Sequence, residues 1–456
     1  MSMASGGVVT VVGASGNVIA VTVNGAHAYS LSQAYHDAVN GAASNGTLFS
    51  VEGDGTAVPT PTGKINEYVA TEGGFYTFPA GYNYITTETT KQVFLDASAA
   101  QTGTVLNTLV GIGGATFISG NESGSFIAGG GNNLFLGSGA GTYSIATSDG
   151  NDSIFAGTGA TQIYGGTGNN LINLGSGADT VVSEGTDRIL ASSGSATISL
   201  TGTNSTIYGG SGNLVVDDKA GTSTSLSGGT GSALIVGGTN SFYTLNGAST
   251  VFAGTSDTIN AAGDTTVYGA GGTSLTQTGS ASLTFVGGLG NATVNSGNGT
   301  ATVFGADGSN ITYTGHGMVI AGSGNETLNG SGSSQGFIGF VTNASTATGV
   351  SVSGGSGDDT LVAGIGNQTL SGGTGVNQFI IAANGTAGNA SITISDFGSS
   401  AGNMVQLYGY GANEVAKTLS TAVVSGSNTT VTLADKSTIT FNNVTNLKSG
   451  SFIGDA

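Results

Sequence analysis

Any chemistry in this chain has to come from its acids. It holds 25 Asp and Glu against seven Lys and Arg, three His and no Cys, for a formal net charge of −18. Two adjacent acid pairs stand out, Asp217–Asp218 in VVDDKAG and Asp358–Asp359 in GGSGDDTL. Two carboxylates held about 5–9 Å apart can act as acid and base on a glycosidic bond. Adjacent residues of a strand point to opposite faces, however, so neither pair is placed to converge. His27, His36 and His316 each lack a second His within a helical turn, and no H-E-x-x-H zinc motif occurs. Surface or turn positions explain all three. Without Cys there is no thiolate ligand, disulfide or Cys nucleophile. The runs GIGG, GAGG and GGLGN lack the Lys-Ser/Thr that completes a phosphate loop, and no G-x-S-x-G elbow sits between a strand and a helix.

The elements that would position these acids are unusual. Glycine supplies 85 of 456 residues, proline three, and charged residues only 7%, yet 38% of the chain is hydrophobic. Disorder needs few apolar groups and dense charge, so this chain folds with a surface of Ser, Thr, Asn and Gly. From about residue 111 to 381 it repeats. Ile145, Ile154, Ile163, Ile172 and Val181 are nine apart, whereas Val251, Ile259, Val267, Leu275 and Leu283 are eight apart. Glycine recurs too often for helices. Each unit instead reads as a very short strand and a tight turn whose glycines supply positive φ. Stacked in parallel at ~4.8 Å, such strands bury their repeated Val, Ile or Leu in a column. Two units make one coil of 16–18 residues, so the fold class is all-β, a parallel β-solenoid or β-roll.

Residues 1–110 read as a small α+β or capping domain. They hold all three prolines and one helix, SLSQAYHDAVNG, with Leu31, Ala34, Tyr35 and Ala38 on its apolar face, Ser30 or Ser32 at its start and Gly41 at its end. The aromatics Phe75, Tyr76, Phe78, Tyr82 and Tyr84 read as its core, with sugar stacking as the alternative. Residues 382–456 alternate polar and apolar positions and read as a β-cap, with a hairpin around Ala434–Ser437 pairing Val431 and Leu433 with Ile439 and Phe441.

GGSGDDTL, residues 354–361, matches the consensus G-G-x-G-x-D-x-(apolar)-x and so resembles RTX proteins, whose repeats build a calcium-binding parallel β-roll. TISDFGSSAGNMVQLYG also resembles the segment that follows RTX repeats, with Asn403 in place of an acid. The closing TITFNNVTNLKSGSF resembles the secretion-signal ends of proteins exported by type I secretion. The resemblance implies an extracellular or cell-surface bacterial protein in which the repeats are a folding and export module. It also implies calcium, which takes six to eight oxygens with enough carboxylate to neutralise it. In a roll those oxygens come from turns one coil apart, so Asp should recur at about +18. Here Asp359, beside Asp358, faces Asn377; Asp152 faces Asn170; Asp179 faces Thr161. Each candidate is a half-site. Two readings stay open: a few weak calcium sites, or Asn and Thr replacing Asp as turn residues that bond neighbouring backbone. The second implies folding without calcium.

Composition narrows the function. The scattered bases make no patch for nucleic acid or anionic lipid. MSMASGGVVTVVG has no basic, then apolar, leader pattern, and no run of ~18 apolar residues suits a spanning helix. β-Helical polysaccharide lyases cluster Arg or Lys around calcium, whereas Arg188 is the chain's one arginine. The expectation is a secreted, non-enzymatic structural protein that self-associates as a fibre, surface layer or adhesin. A calcium-dependent RTX module with a polysaccharide-binding N-terminal domain, or a β-helical polysaccharide-active enzyme, is the alternative. Ice binding fits less well, because the T-x-T columns are irregular.

Overall fold

A computed structural model describes residues 6–322, 324–341, 348–383 and 390–454. Contacts divide the chain into two compact units, Met1–Gly238 and Thr239–Ala456.

The first unit opens with an antiparallel hairpin, Gly6–Val12 against Val18–Asn24, followed by the helix α1, Ala26–Ser44. The helix starts at Gly25 and runs through Gly41, so neither Ser30 nor Ser32 caps it and Gly41 does not end it. Its buried stripe is Ala28, Ser32, Tyr35, Val39 and Ala42, while Ala34 and Ala38 are exposed. Tyr35 anchors the face as read from the sequence, but the rest of the stripe lies one position along. The difference arises because Val39 turns into the core shared with the hairpin, leaving Ala34 and Ala38 outside it. Hairpin and helix share one core with Val69, Leu109, Ile127 and Ala146 of the strands beyond.

Parallel pairing begins at Leu48, ahead of residue 111, with Leu48–Gly53 beside Ile65–Ala70. It then proceeds coil by coil with two strands per turn. In one column Ile145 pairs with Ile163, Ile163 with Val181, and Val181 with Ile198. In the facing column Ile154 pairs with Ile172, and Ile172 with Ile189. These side chains are fully or almost fully buried, each contributing about 1.5–3 kcal/mol by leaving water. Strands of three to five residues persist because both neighbours supply the hydrogen bonds that a lone strand would lack. Tyr68, Tyr76, Phe78 and Tyr82 form a buried edge-to-face cluster, whereas Phe75 stays 75% exposed beside Phe94.

Some turn glycines, such as Gly150, Gly168, Gly373 and Gly375, have the positive φ read from the sequence, whereas others serve a different purpose. Gly139, Gly157 and Gly175 are absent from the positive-φ positions. They stack one above another, and a Cβ on Gly157 would lie 2.3 Å from the Gly139 carbonyl oxygen, one on Gly175 only 1.5 Å from that of Gly157. Close backbone approach, not left-handed φ, demands glycine here.

The second unit repeats the two-strand coil with less regular steps. Val251 pairs with Val267, Val267 with Phe285, and Phe285 with Val303. In one column the last parallel rung places Ser391–Ile394 beside Thr438–Phe441, which then pairs antiparallel with Asn428–Thr432; in the other it places Met404–Tyr408 beside Phe452–Gly454. Val431 faces Ile439 in that hairpin, as its alternation suggests. No helix is long and apolar enough to cross a membrane among the described residues.

Candidate metal centre

The acids of the repeat sit where strand alternation puts them. Asp152, Asp179, Asp257 and Asp359 each precede an inward Ile, Val, Ile or Leu by two residues (Ile154, Val181, Ile259, Leu361). Period-two alternation sends both members of such a pair to one face. These carboxylates therefore point into the coil, and all four are at most 3% exposed. Asp358, one residue off that register, is exposed, and Asp217 and Asp218 split in the same way.

Inside the first unit the acids form a ladder with asparagine. The Ala115 amide donates to Asn133 Oδ1 at 2.9 Å. Asn133 donates its backbone N–H to Asp152 Oδ1 at 2.7 Å and its side-chain Nδ2 to the same oxygen at 2.9 Å. Asp152 in turn donates its backbone N–H to Asn170 Oδ1 at 2.9 Å. Asn170 repeats both contacts onto Asp187 Oδ1 at 3.0 and 2.9 Å, and the Asp187 amide bonds Ser205 Oγ at 3.2 Å. Amide and carboxylate alternate, so no carboxylate has another as its immediate neighbour. On the facing column Asp179 Oδ1 accepts from the Thr161 amide at 2.8 Å.

The second unit uses the same device. Asp359 Oδ1 accepts from the Phe337 amide and Oδ2 from the Gly355 amide, each at 2.9 Å. The Asp359 amide donates to Asn377 Oδ1, and the Asn377 amide to Asn403 Oδ1, each at 2.9 Å. On the outer side Asp358 Oδ1 takes the Val376 amide at 2.7 Å. Asp257 bonds the Ser241 and Gly254 amides with its two oxygens at 2.9 and 2.7 Å. Glu326 holds the equivalent place before Leu328, accepting from Ser309 Oγ at 3.1 Å and the Gly322 amide at 2.6 Å.

Electrostatics follow from this burial. Desolvation pushes Asp152, Asp179, Asp187 and Asp359 above the usual carboxylate range, although the amide hydrogen bonds pull the other way. Burial raises Glu326 to about 7.

The coil-to-coil partners read from spacing are thus in place: Asp359 with Asn377, Asp152 with Asn170, Asp179 with Thr161. As a calcium shell they do not fit. Backbone N–H groups, partial positive charges, aim at each carboxylate where a cation would have to sit. Only one oxygen each of Asp152 and Asp179, Oδ2, is buried without a hydrogen-bond partner, against the six to eight oxygens calcium takes. Among the described residues no three His, Cys, Asp or Glu gather around one point.

The residues missed at the sequence level are Asn133, Asp187, Ser205 and Glu326. Each lies two positions before an inward apolar residue, the signal that unites them with the acids of the motif. The histidines are dispersed: His27 stacks on Tyr164 with ring centroids 4.1 Å apart, His36 contacts the Thr10 carbonyl, and His316 lies beside Thr300. Arg188 lies over the Tyr208 ring at 5.2 Å.

The family model of the RTX calcium-binding nonapeptide repeat matches four copies, over residues 147–181 and 351–379. These windows contain Asp152, Asp179, Asp358, Asp359 and Asn377, and the amide–acid ladder runs through both. No curated protein matches the chain. The chain thus carries RTX-type calcium-binding nonapeptide repeats, set in a parallel β-solenoid.

Proposed function

We propose that this protein is a secreted, non-enzymatic structural element whose solenoid stands without calcium and self-associates outside the bacterial cell as a fibre, surface layer or adhesin. The ladder from Asn133 to Ser205 carries the reading. Its oxygens close the turns with hydrogen bonds that a calcium roll would assign to ions. An RTX module that needs no ion to fold is suited to permanent scaffolding rather than to calcium-triggered activity. The neutral Ser/Thr/Asn exterior supports this, because weak, easily screened repulsion lets long faces approach one another. Buried single carboxylates and dispersed histidines speak against catalysis.

The matched calcium-binding repeat favours a second reading, a calcium-dependent module with a polysaccharide-binding N-terminal region. One experiment separates the two. Calorimetry of the full chain in calcium and in EGTA is expected to give the same melting transition, and negative-stain microscopy to give ordered assemblies in both. A transition that collapses on chelation overturns the calcium-free scaffold. Monomers alone at high concentration, with and without calcium, overturn self-association.

A further inference from the structure

The second unit carries an apolar face that is partly open among the described residues. Nine strands, from Ser249–Phe252 to Met404–Tyr408, pair in parallel register along it. At one outward position eight successive rungs bear only Phe, Tyr, Val or Ile, from Phe252 through Tyr268, Phe304, Ile320 and Phe340 to Ile380. The rings of Phe252 and Tyr268 stack at 4.7 Å and 6°, and Phe252, Tyr268 and Phe304 are each about two-fifths exposed (44, 42 and 38%). The parallel column two residues upstream, from Thr250 to Met404, holds Thr, Met, Ile and Gln. Neither column contains a charged residue, in a chain whose net charge is −18.

The first unit indicates what such a column requires. There the outward run Val69, Thr86, Leu109, Ile127 and Ala146 is also largely apolar. It is sealed by the chain's own hairpin and helix, which bring Val9, Val21, Tyr35 and Val39 onto it.

We infer that the uncharged face running from Phe252 to Ile380 pairs with the same face of a second copy of this chain. Three features select that occupant. Nine strands at ~4.8 Å give a stripe ~38 Å long. Two outward columns make it ~13 Å wide, so pairing buries about 1,000 Å² in all, the threshold for a specific interface. A monomer seldom leaves a contiguous apolar patch above a few hundred Å² open. The ridges recur at the strand spacing, and an identical ladder meets every rung with the same period, as facing β-sheets do. Finally, two copies of a strongly acidic chain approach with little repulsion through a long surface free of charge, and of the two uncharged outward sides of this unit the one from Phe252 to Ile380 is the more apolar. This pairing specifies the self-association proposed above and rests on it.

The test uses the full chain and reads association by sedimentation velocity across concentration. Two double variants are compared: Phe304→Lys with Phe340→Lys on the stripe, and Thr276→Lys with Asn295→Lys on the other outward side of the same unit. The wild type is expected to associate, the stripe variant to weaken association at least tenfold, and the control to leave it unchanged. Circular dichroism and melting check the fold. Should the lysine pair fail to fold, Phe304→Thr with Phe340→Thr, which extends the threonine chemistry of the neighbouring column, takes its place with the same expectation. Association that survives the stripe changes overturns the assigned face while leaving the scaffold reading standing. A wild type that stays monomeric overturns both. A monomer that binds a polysaccharide resin, and loses that binding in the stripe variants, assigns the face to sugar and overturns the pairing.

Discussion

At the scale of single residues, the acid of the repeat acts as a hydrogen-bond acceptor turned inward. Asp152 shows why the substitution pattern tolerates asparagine: Oδ1 takes both donors from Asn133, while Oδ2 takes none. Asp152→Asn keeps the accepting oxygen and removes a buried charge, so it is expected to leave stability within about 1 kcal/mol of the wild type. Asp152→Ala strands the Asn133 N–H groups and is expected to cost about 1–3 kcal/mol. Urea melts in calcium and in EGTA distinguish this from ion binding. A penalty for Asp152→Asn that appears only in calcium would make the carboxylate a ligand after all. The motif G-G-x-G-x-D was legible in the sequence, and so were the coil-to-coil partners at +18. The direction of the side chain was not drawn from it, although the apolar residue two positions on carries that information.

At the scale of the element, each coil is two short strands joined by turns packed to contact. Gly175 sits with its α-carbon against the Gly157 carbonyl, 1.5 Å from where a Cβ would be. Gly175→Ala must therefore push two coils apart. It is expected to cost more than the ~1 kcal/mol typical of ordinary Gly-to-Ala exchange, with most of the loss in the rung of Leu171–Asn173 and Asp179–Ser183. Hydrogen exchange resolved to those strands checks this, and uniform protection would contradict it. The period of eight or nine and the strand class were legible from the spacing of Ile and Val. The positive φ of turn glycines such as Gly150 and Gly168 was legible too, but the close approach at Gly157 and Gly175 was not, because a residue without a side chain serves equally for either. α1 shows a related limit. Its existence and Tyr35 on its buried face were legible, but which neighbours of Tyr35 it buries depends on the hairpin it meets.

At the scale of the molecule, both units hold carboxylates whose burial raises their pKa, and the consequence is a stability that falls as pH rises. For Glu326, the folded value of about 7 stands above the ordinary 4.5. The folded state therefore binds the proton more tightly, and that contribution is full below pH 4.5 and lost as pH climbs through about 7. Asp152, Asp179, Asp187 and Asp359 shift in the same direction from 3.8, and self-repulsion in a chain of net charge −18 grows along the same course. Denaturant midpoints are expected to be higher at pH 5 than at pH 8, and Glu326→Gln to flatten the slope between about pH 4.5 and 7. A midpoint that rises with pH would refute this account of the buried acids.

The sequence by itself determined the solenoid, because a short apolar period with glycine between the strands leaves parallel stacking as the way to satisfy the backbone. It also determined the repeat type, since GGSGDDTL and its looser copies keep the RTX nonapeptide spacing. Only the tertiary structure decided what the acids do, because an Asp in a turn can face a cation or a neighbouring amide. The choice depends on which donors the adjoining coil supplies. In this chain Asn133 and Asn170 bring N–H donors to Asp152 and Asp187, the Phe337 and Gly355 amides do so for Asp359, and these N–H groups occupy the carboxylates that a calcium roll would leave to the ion.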